Sequence, residues 1–100
     1  MPQQTKDKRS SIDAMLAQSM ILLIIDSQQE DVDVPLYLKN DIQLRLNISH
    51  HFAHPPKLTS WGIEATLTFG EVPYPCRIPW HAIYGAVPHD THKTVFFPES

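Results

Sequence analysis

Two stretches of the chain alternate apolar and polar residues with a period of two. Ile42, Leu44, Leu46 and Ile48 alternate with Gln43, Arg45, Asn47 and Ser49, and Ile63, Ala65, Leu67 and Phe69 alternate with Glu64, Thr66 and Thr68. Successive side chains of a strand point to opposite faces, so both stretches predict half-buried antiparallel strands. An unbroken apolar run from Met20 to Ile25, ended by Asp26-Ser27, predicts a strand buried on both faces. Ahead of it Ile12, Met15, Leu16 and Ser19 or Met20 recur at helical spacing behind Ser10 or Ser11, either of which can cap the helix. Asp13 falls in the first turn, where the helix dipole favours an acid. Residues 1–9 are polar, hold Lys6, Lys8 and Arg9 and show no apolar period. They read as a disordered tail ahead of a single domain over residues 10–100.

Nine prolines against three glycines exclude long helices after residue 35. Val32-Asp33-Val34-Pro35 reads as a short strand that its proline confines to an edge. Val72 to Pro79 reads as extended, because each of its prolines keeps the preceding residue out of helical geometry. Trp80, Ile83, Tyr84 and Val87 draw one apolar helical stripe between Pro79 and Pro88, and predict a short late helix. Val95-Phe96-Phe97 can close the sheet as a last strand. Between the two alternating strands, His50 to Gly62 with Pro55-Pro56 is too long for a tight hairpin and is the kind of loop that carries function. The expected fold is mainly β, of the α+β class: a strongly bent antiparallel sheet or partial barrel with an N-terminal helix and a short late helix.

The chain has 100 residues, the size of one domain with one small core. With 42% hydrophobic and 19% charged residues it lies well away from the signature of disorder. Eight Lys and Arg against eleven Asp and Glu give a net charge of −3, which weighs against capture of nucleic acid or an anionic membrane. The apolar run ending at Ile25 is far shorter than the ~20 residues that span a bilayer. Cys76 is the only cysteine, so no intrachain disulfide can form, and a cytoplasmic location is expected.

His50, His51 and His54 invite a metal, but no further ligand stands at a recognisable spacing, and no metal site is expected. His81 follows Cys76 by five residues, yet nothing in the sequence activates the thiol, so Cys76 reads as buried and inert. Asp26, Glu30, Asp31 and Asp33 read as solvated turn acids rather than a catalytic pair. Asn47-Ile48-Ser49 matches a glycosylation sequon only by chance, inside a strand. Gly62, Gly70 and Gly85 are not spaced as a phosphate cradle, and no cofactor or catalytic residue is expected. What remains is a sheet with polar rows at Thr66 and Thr68 and at Asn47 and Ser49, beside a loop bearing Phe52. Such a surface suits an extended peptide, held by backbone hydrogen bonds and small side-chain pockets.

Phe69-Gly70-Glu71-Val72-Pro73, Ile78-Pro79 and Ala82-Ile83-Tyr84-Gly85-Ala86-Val87 follow one another as Phe-Gly-Gly-apolar-Pro, apolar-Pro and an alanine-rich apolar segment do in the SspB family. Val32-Asp33-Val34-Pro35, Leu44-Arg45-Leu46-Asn47-Ile48 and Phe97-Pro98-Glu99 also resemble segments of that family, at similar intervals, over about residues 20–100. SspB proteins deliver ssrA-tagged polypeptides to the ClpXP protease. The resemblance implies an Sm-like bent sheet, homodimers formed through the leading helix, and a groove that receives part of the ssrA tag as an extended peptide. It implies a second partner, the ClpX unfoldase, and tethering without chemistry, which raises local substrate concentration. Glu71 stands in place of the family's second glycine, and Thr68 where enteric members carry an arginine.

On these grounds the peptide groove is expected at Ser49, His50, Phe52 and Ala53 and at Leu67, Thr68 and Phe69. Phe52, Ala53 and Leu67 would form apolar pockets, and Ser49, His50 and Thr68 polar contacts. The alternative reading is an Sm-like RNA-binding module, which the negative net charge disfavours.

Overall fold

The computed structural model describes residues 2–97, with side chains from Lys8 onward. Met1, Pro98 and Glu99, which entered the sequence reading, lie outside the described residues. In chain order the elements are α1 (Pro2–Gln18), β1 (Ile21–Ile25), a 3-10 turn (Leu36–Leu38), β2 (Leu44–Ile48), β3 (Lys57–Leu58), β4 (Gly62–Phe69), β5 (Val72–Pro79), a second 3-10 turn (Trp80–Ala82), β6 (Ile83–Pro88) and β7 (Val95–Phe96). The fold is mainly β with an N-terminal helix, and its strands form two antiparallel sheets rather than a closed barrel. One sheet has the order β2-β1-β6-β7, the other β3-β4-β5.

The alternating stretches form β2 and β4, with Leu44, Leu46, Ile48, Ile63, Ala65 and Leu67 all buried in the core. Ile42, expected at the start of β2, lies outside it and is exposed. β1 is packed on both sides as its run of apolar residues required. Ile21, Leu23 and Ile25 face the core, while Ile24 lies on the other side, where it converges with Phe96 over Gly85. Val32 and Val34 join the core without forming a strand, and only Asp33 makes an isolated bridge, to Arg77. The loop from His50 to Gly62 holds β3, the short strand that pairs with the start of β4.

β5 accommodates its prolines by being an edge. Asp33 and Arg77 exchange both backbone hydrogen bonds, at 2.8 and 3.0 Å, on the side away from β4. N–H and C=O of one strand residue point the same way and alternate along the strand. Pro73, Pro75 and Pro79 share the parity of Arg77, so the N–H each lacks would point outward, where no ladder needs it. β4 and β5 join through Gly70 and Glu71, both at positive φ (54° and 71°), a two-residue turn whose twist matches the strands. Gly62 is fixed by space instead: a Cβ there would lie 2.1 Å from the Ile78 carbonyl oxygen.

Two expectations are corrected. The helix starts at Pro2, so residues 2–9 are helical rather than a disordered tail. Proline is tolerated in a first helical turn and Gln, Lys and Arg are good helix formers. What anchors the turn is a cation and not an apolar stripe: the Lys8 ammonium, buried, donates to the carbonyls of Trp80 and Ile83 at 2.8 and 2.9 Å. The Arg9 guanidinium likewise donates to the Leu58 carbonyl at 3.0 Å.

The late helix is replaced by a single 3-10 turn followed by β6, which lies between β1 and β7. Its pairing with β1 runs Ile24 to Gly85 and then Ile25 to Ile83, so Tyr84 is an extra residue, a β-bulge. The bulge resets the alternation, and the residues opposite the inward Ile25 and Leu23 are Ile83 and Ala86. The stripe read at Trp80, Ile83, Tyr84 and Val87 therefore mixes a residue of the 3-10 turn, the inward Ile83, the bulged Tyr84 and the half-buried Val87 opposite Leu22.

Candidate functional site

β2 is the edge of its sheet. The Asp26 N–H donates to Ala82 beside β6, and the Ser27 N–H donates to Asp41 just ahead of β2. Parity then directs Ile21, Leu23 and Ile25 toward their partners Ile48, Leu46 and Leu44. The backbone groups of Arg45 and Asn47 therefore point away from β1, to a side where no described strand pairs. The same argument applies to β4. Tyr74, Cys76 and Ile78 direct their backbone groups to Leu67, Ala65 and Ile63, because Arg77 directs its own outward. Glu64, Thr66 and Thr68 face the opposite side, where Glu64 meets Lys57 of β3 and the two threonines meet no described strand.

A groove of about 480 Å³ lies between these two open edges. Arg45, Leu46 and Asn47 line one wall and Thr66, Leu67, Thr68 and Phe69 the other, while Phe52, Ala53 and His54 come from the intervening loop. Phe52, Ala53, Leu67, Thr68 and Phe69, expected at the site, are thus brought together. Ser49 and His50 are not among the lining residues. Ser49 is buried and shapes the loop: its hydroxyl oxygen accepts the His51 N–H at 3.1 Å, and its carbonyl accepts that of Phe52 at 3.3 Å. This turn sends the chain back so that Phe52 reaches the groove, while His50 is exposed on its outside.

Arg45, Leu46, Asn47, His54 and Thr66 were missed. The period of β2 shows which face its side chains take, but whether the strand has a neighbour on each side is not written in it. Asn47 carries one further tie, its side-chain oxygen lying 3.0 Å from Nε2 of His89.

The groove's lining holds one imidazole and no carboxylate or thiol. Cys76 lies on the neighbouring strand, 1% exposed, where burial first and the nearby Asp33 charge second push its thiol up to about 12. It stays protonated and non-nucleophilic at neutral pH. The Tyr74 hydroxyl donates to Asp33 at 2.6 Å, and that hydrogen bond leads the causes that raise its pKa. Among the described residues no three His, Cys, Asp or Glu side chains are grouped to hold a metal ion. No described helix is long and apolar enough to cross a membrane.

No protein-family model matches the chain, and no curated protein matches it.

Proposed function

We propose that this protein is a non-enzymatic adaptor that holds an extended polypeptide in the groove between β2 and β4. The observation that carries the reading is the pair of strand edges left open on either side of that groove. An extended chain laid there finds backbone donors and acceptors at Arg45, Asn47, Thr66 and Thr68, and apolar contact at Leu46, Phe52 and Leu67. Main-chain bonds supply affinity in this mode, and the pockets beside them supply selectivity. With the resemblance to SspB, the polypeptide is an ssrA-type tag, and the protein brings its bearer to the ClpX unfoldase of ClpXP by raising local concentration. Action in the cytoplasm and homodimerisation through α1 belong to the same proposal.

The test is fluorescence anisotropy with labelled ssrA-tag peptides. Saturable binding at micromolar or tighter affinity is expected, and Phe52→Asp or Thr68→Arg should change it without unfolding the protein. If ssrA-tag peptides give no saturable signal, the adaptor reading falls.

A further inference from the structure

The edge of β2 that faces the groove carries a side chain able to close it. Arg45, Asn47, Thr66 and Thr68 direct backbone groups to the groove, and Asn47 is the one of these whose side chain is tied elsewhere in the structure. Asparagine side chains bond readily to main-chain groups in their own neighbourhood and so compete with strand pairing. An Asn47 amide free to turn would cap the donors and acceptors that an incoming strand needs. What it meets instead is His89.

Leu22 stands opposite both Asn47 and Val87, on the side of β1 away from the inward Ile21 and Leu23. His89 lies two residues beyond Val87 and shares its side. Its N–H donates to the Met20 carbonyl at 2.9 Å, one pair past Ile21 and Pro88, and the His92 N–H closes a turn on the Pro88 carbonyl at 2.8 Å. The backbone of His89 is thereby fixed at the end of the ladder between β1 and β6. Its side chain reaches back across β1, over the roughly 10 Å that separate alternate strands of a sheet, and brings Nε2 to 3.0 Å from the Asn47 side-chain oxygen. A carboxamide oxygen only accepts, so Nε2 is the nitrogen that donates. The neighbouring Asp90 turns elsewhere, its carboxylate accepting the Ser19 hydroxyl at 3.3 Å.

We infer that His89 is a positioning residue of the groove: it holds the Asn47 side chain over β1 and so keeps the Asn47 backbone open to a bound polypeptide. The inference rests on the peptide-binding reading and deepens it. His89 is not among the residues that line the groove, and it acts through Asn47 alone.

The experiment follows the anisotropy of a labelled ssrA-tag peptide with variants at both positions. His89→Ala should weaken binding about three- to tenfold, the size of one hydrogen bond's net contribution. His89→Gln sets its amide nitrogen as many bonds from the main chain as Nε2 and should recover most of the affinity, whereas His89→Asn, one bond shorter, should not. Asn47→Ala has no amide left to misplace. It should bind more tightly than His89→Ala, and adding His89→Ala to it should change nothing further. Both side chains are exposed, so the variants should unfold as cooperatively as the wild type.

Unchanged binding in His89→Ala overturns the role, as does equal behaviour of the Gln and Asn variants. A loss on His89→Ala that persists beside Asn47→Ala overturns it too, because His89 would then touch the peptide or support the fold. Weaker binding by Asn47→Ala than by His89→Ala makes the amide a ligand contact and has the same consequence. If no ssrA-tag peptide binds the wild-type protein, the adaptor reading falls together with the role of His89; if all variants bind it as the wild type does, only the role falls.

Discussion

The two sheets of this protein put their second faces to opposite uses. In the four-stranded sheet, β1 buries Ile21, Leu23 and Ile25 on one side and covers Ile24 on the other, where Phe96 packs toward Gly85. In the three-stranded sheet only one side is apolar. Lys57, Glu64, Arg77, Thr66 and Thr68 occupy the other, and β4 has an edge left open beyond its short pairing with β3. The first arrangement holds the molecule together and offers a recognition surface only at the open edge of β2. The second contributes less to stability and presents backbone, charge and a groove to solvent. Stability and binding should therefore respond to different substitutions, and that separation can be tested.

The largest effect is expected in the doubly packed sheet. Leu23→Ala removes a fully buried side chain and should lower the unfolding free energy by about 2–5 kcal/mol, read from urea midpoints. A loss under about 1 kcal/mol would show that β1 is not the centre of the core. Gly62→Ala comes next. Its new Cβ meets backbone at Ile78 and Pro79, atoms that cannot swing aside, and about 1–3 kcal/mol should be lost.

Opposite in sign is Glu71→Gly in the exposed turn of the other sheet. A left-handed residue with a side chain costs about 1–2 kcal/mol, part of which glycine returns as unfolded-state entropy, so a rise in melting temperature is expected. A fall would mean that the Glu71 side chain supports the turn in some other way.

Alkaline pH probes the contact between the sheets. Cys76 is pushed up to about 12 from an ordinary 9.0, so the folded state holds its proton more tightly than the unfolded chain. The stabilisation is complete below pH 9 and is lost as pH rises toward 12, with Tyr74 acting in the same direction. Cys76→Ala should flatten the decline in urea midpoint over that range. The thiol should react with a disulfide reagent at neutral pH only after unfolding; prompt labelling of the native protein would contradict its burial.

The smallest change in stability belongs to the open face. Thr68→Arg, at an exposed residue of the groove wall, should leave the urea midpoint within about 0.5 kcal/mol of wild type, because surface changes away from core, caps and strain cost little. Binding of an ssrA-tag peptide should nevertheless change severalfold. Matched losses in stability and binding would erase the distinction between the sheets.

Local pattern determined much of this protein. Alternation located β2 and β4, the apolar run located β1, and the prolines marked β5 as extended, because each of these signals acts within a few residues of its cause. The groove was legible only in part. Phe52, Ala53, Leu67, Thr68 and Phe69 follow from a loop beside an alternating strand, whereas Arg45, Asn47, His54 and Thr66 enter because two strand edges distant in sequence end without partners. Tertiary structure also decided the first turns of α1, where the tie is a lysine reaching carbonyls more than seventy residues away. It decided β6 as well, where one bulged tyrosine breaks the strand's period of two and hides it from the sequence. Side-chain pattern records which face of an element meets the core. Which backbone groups find a neighbour is settled only when the strands assemble.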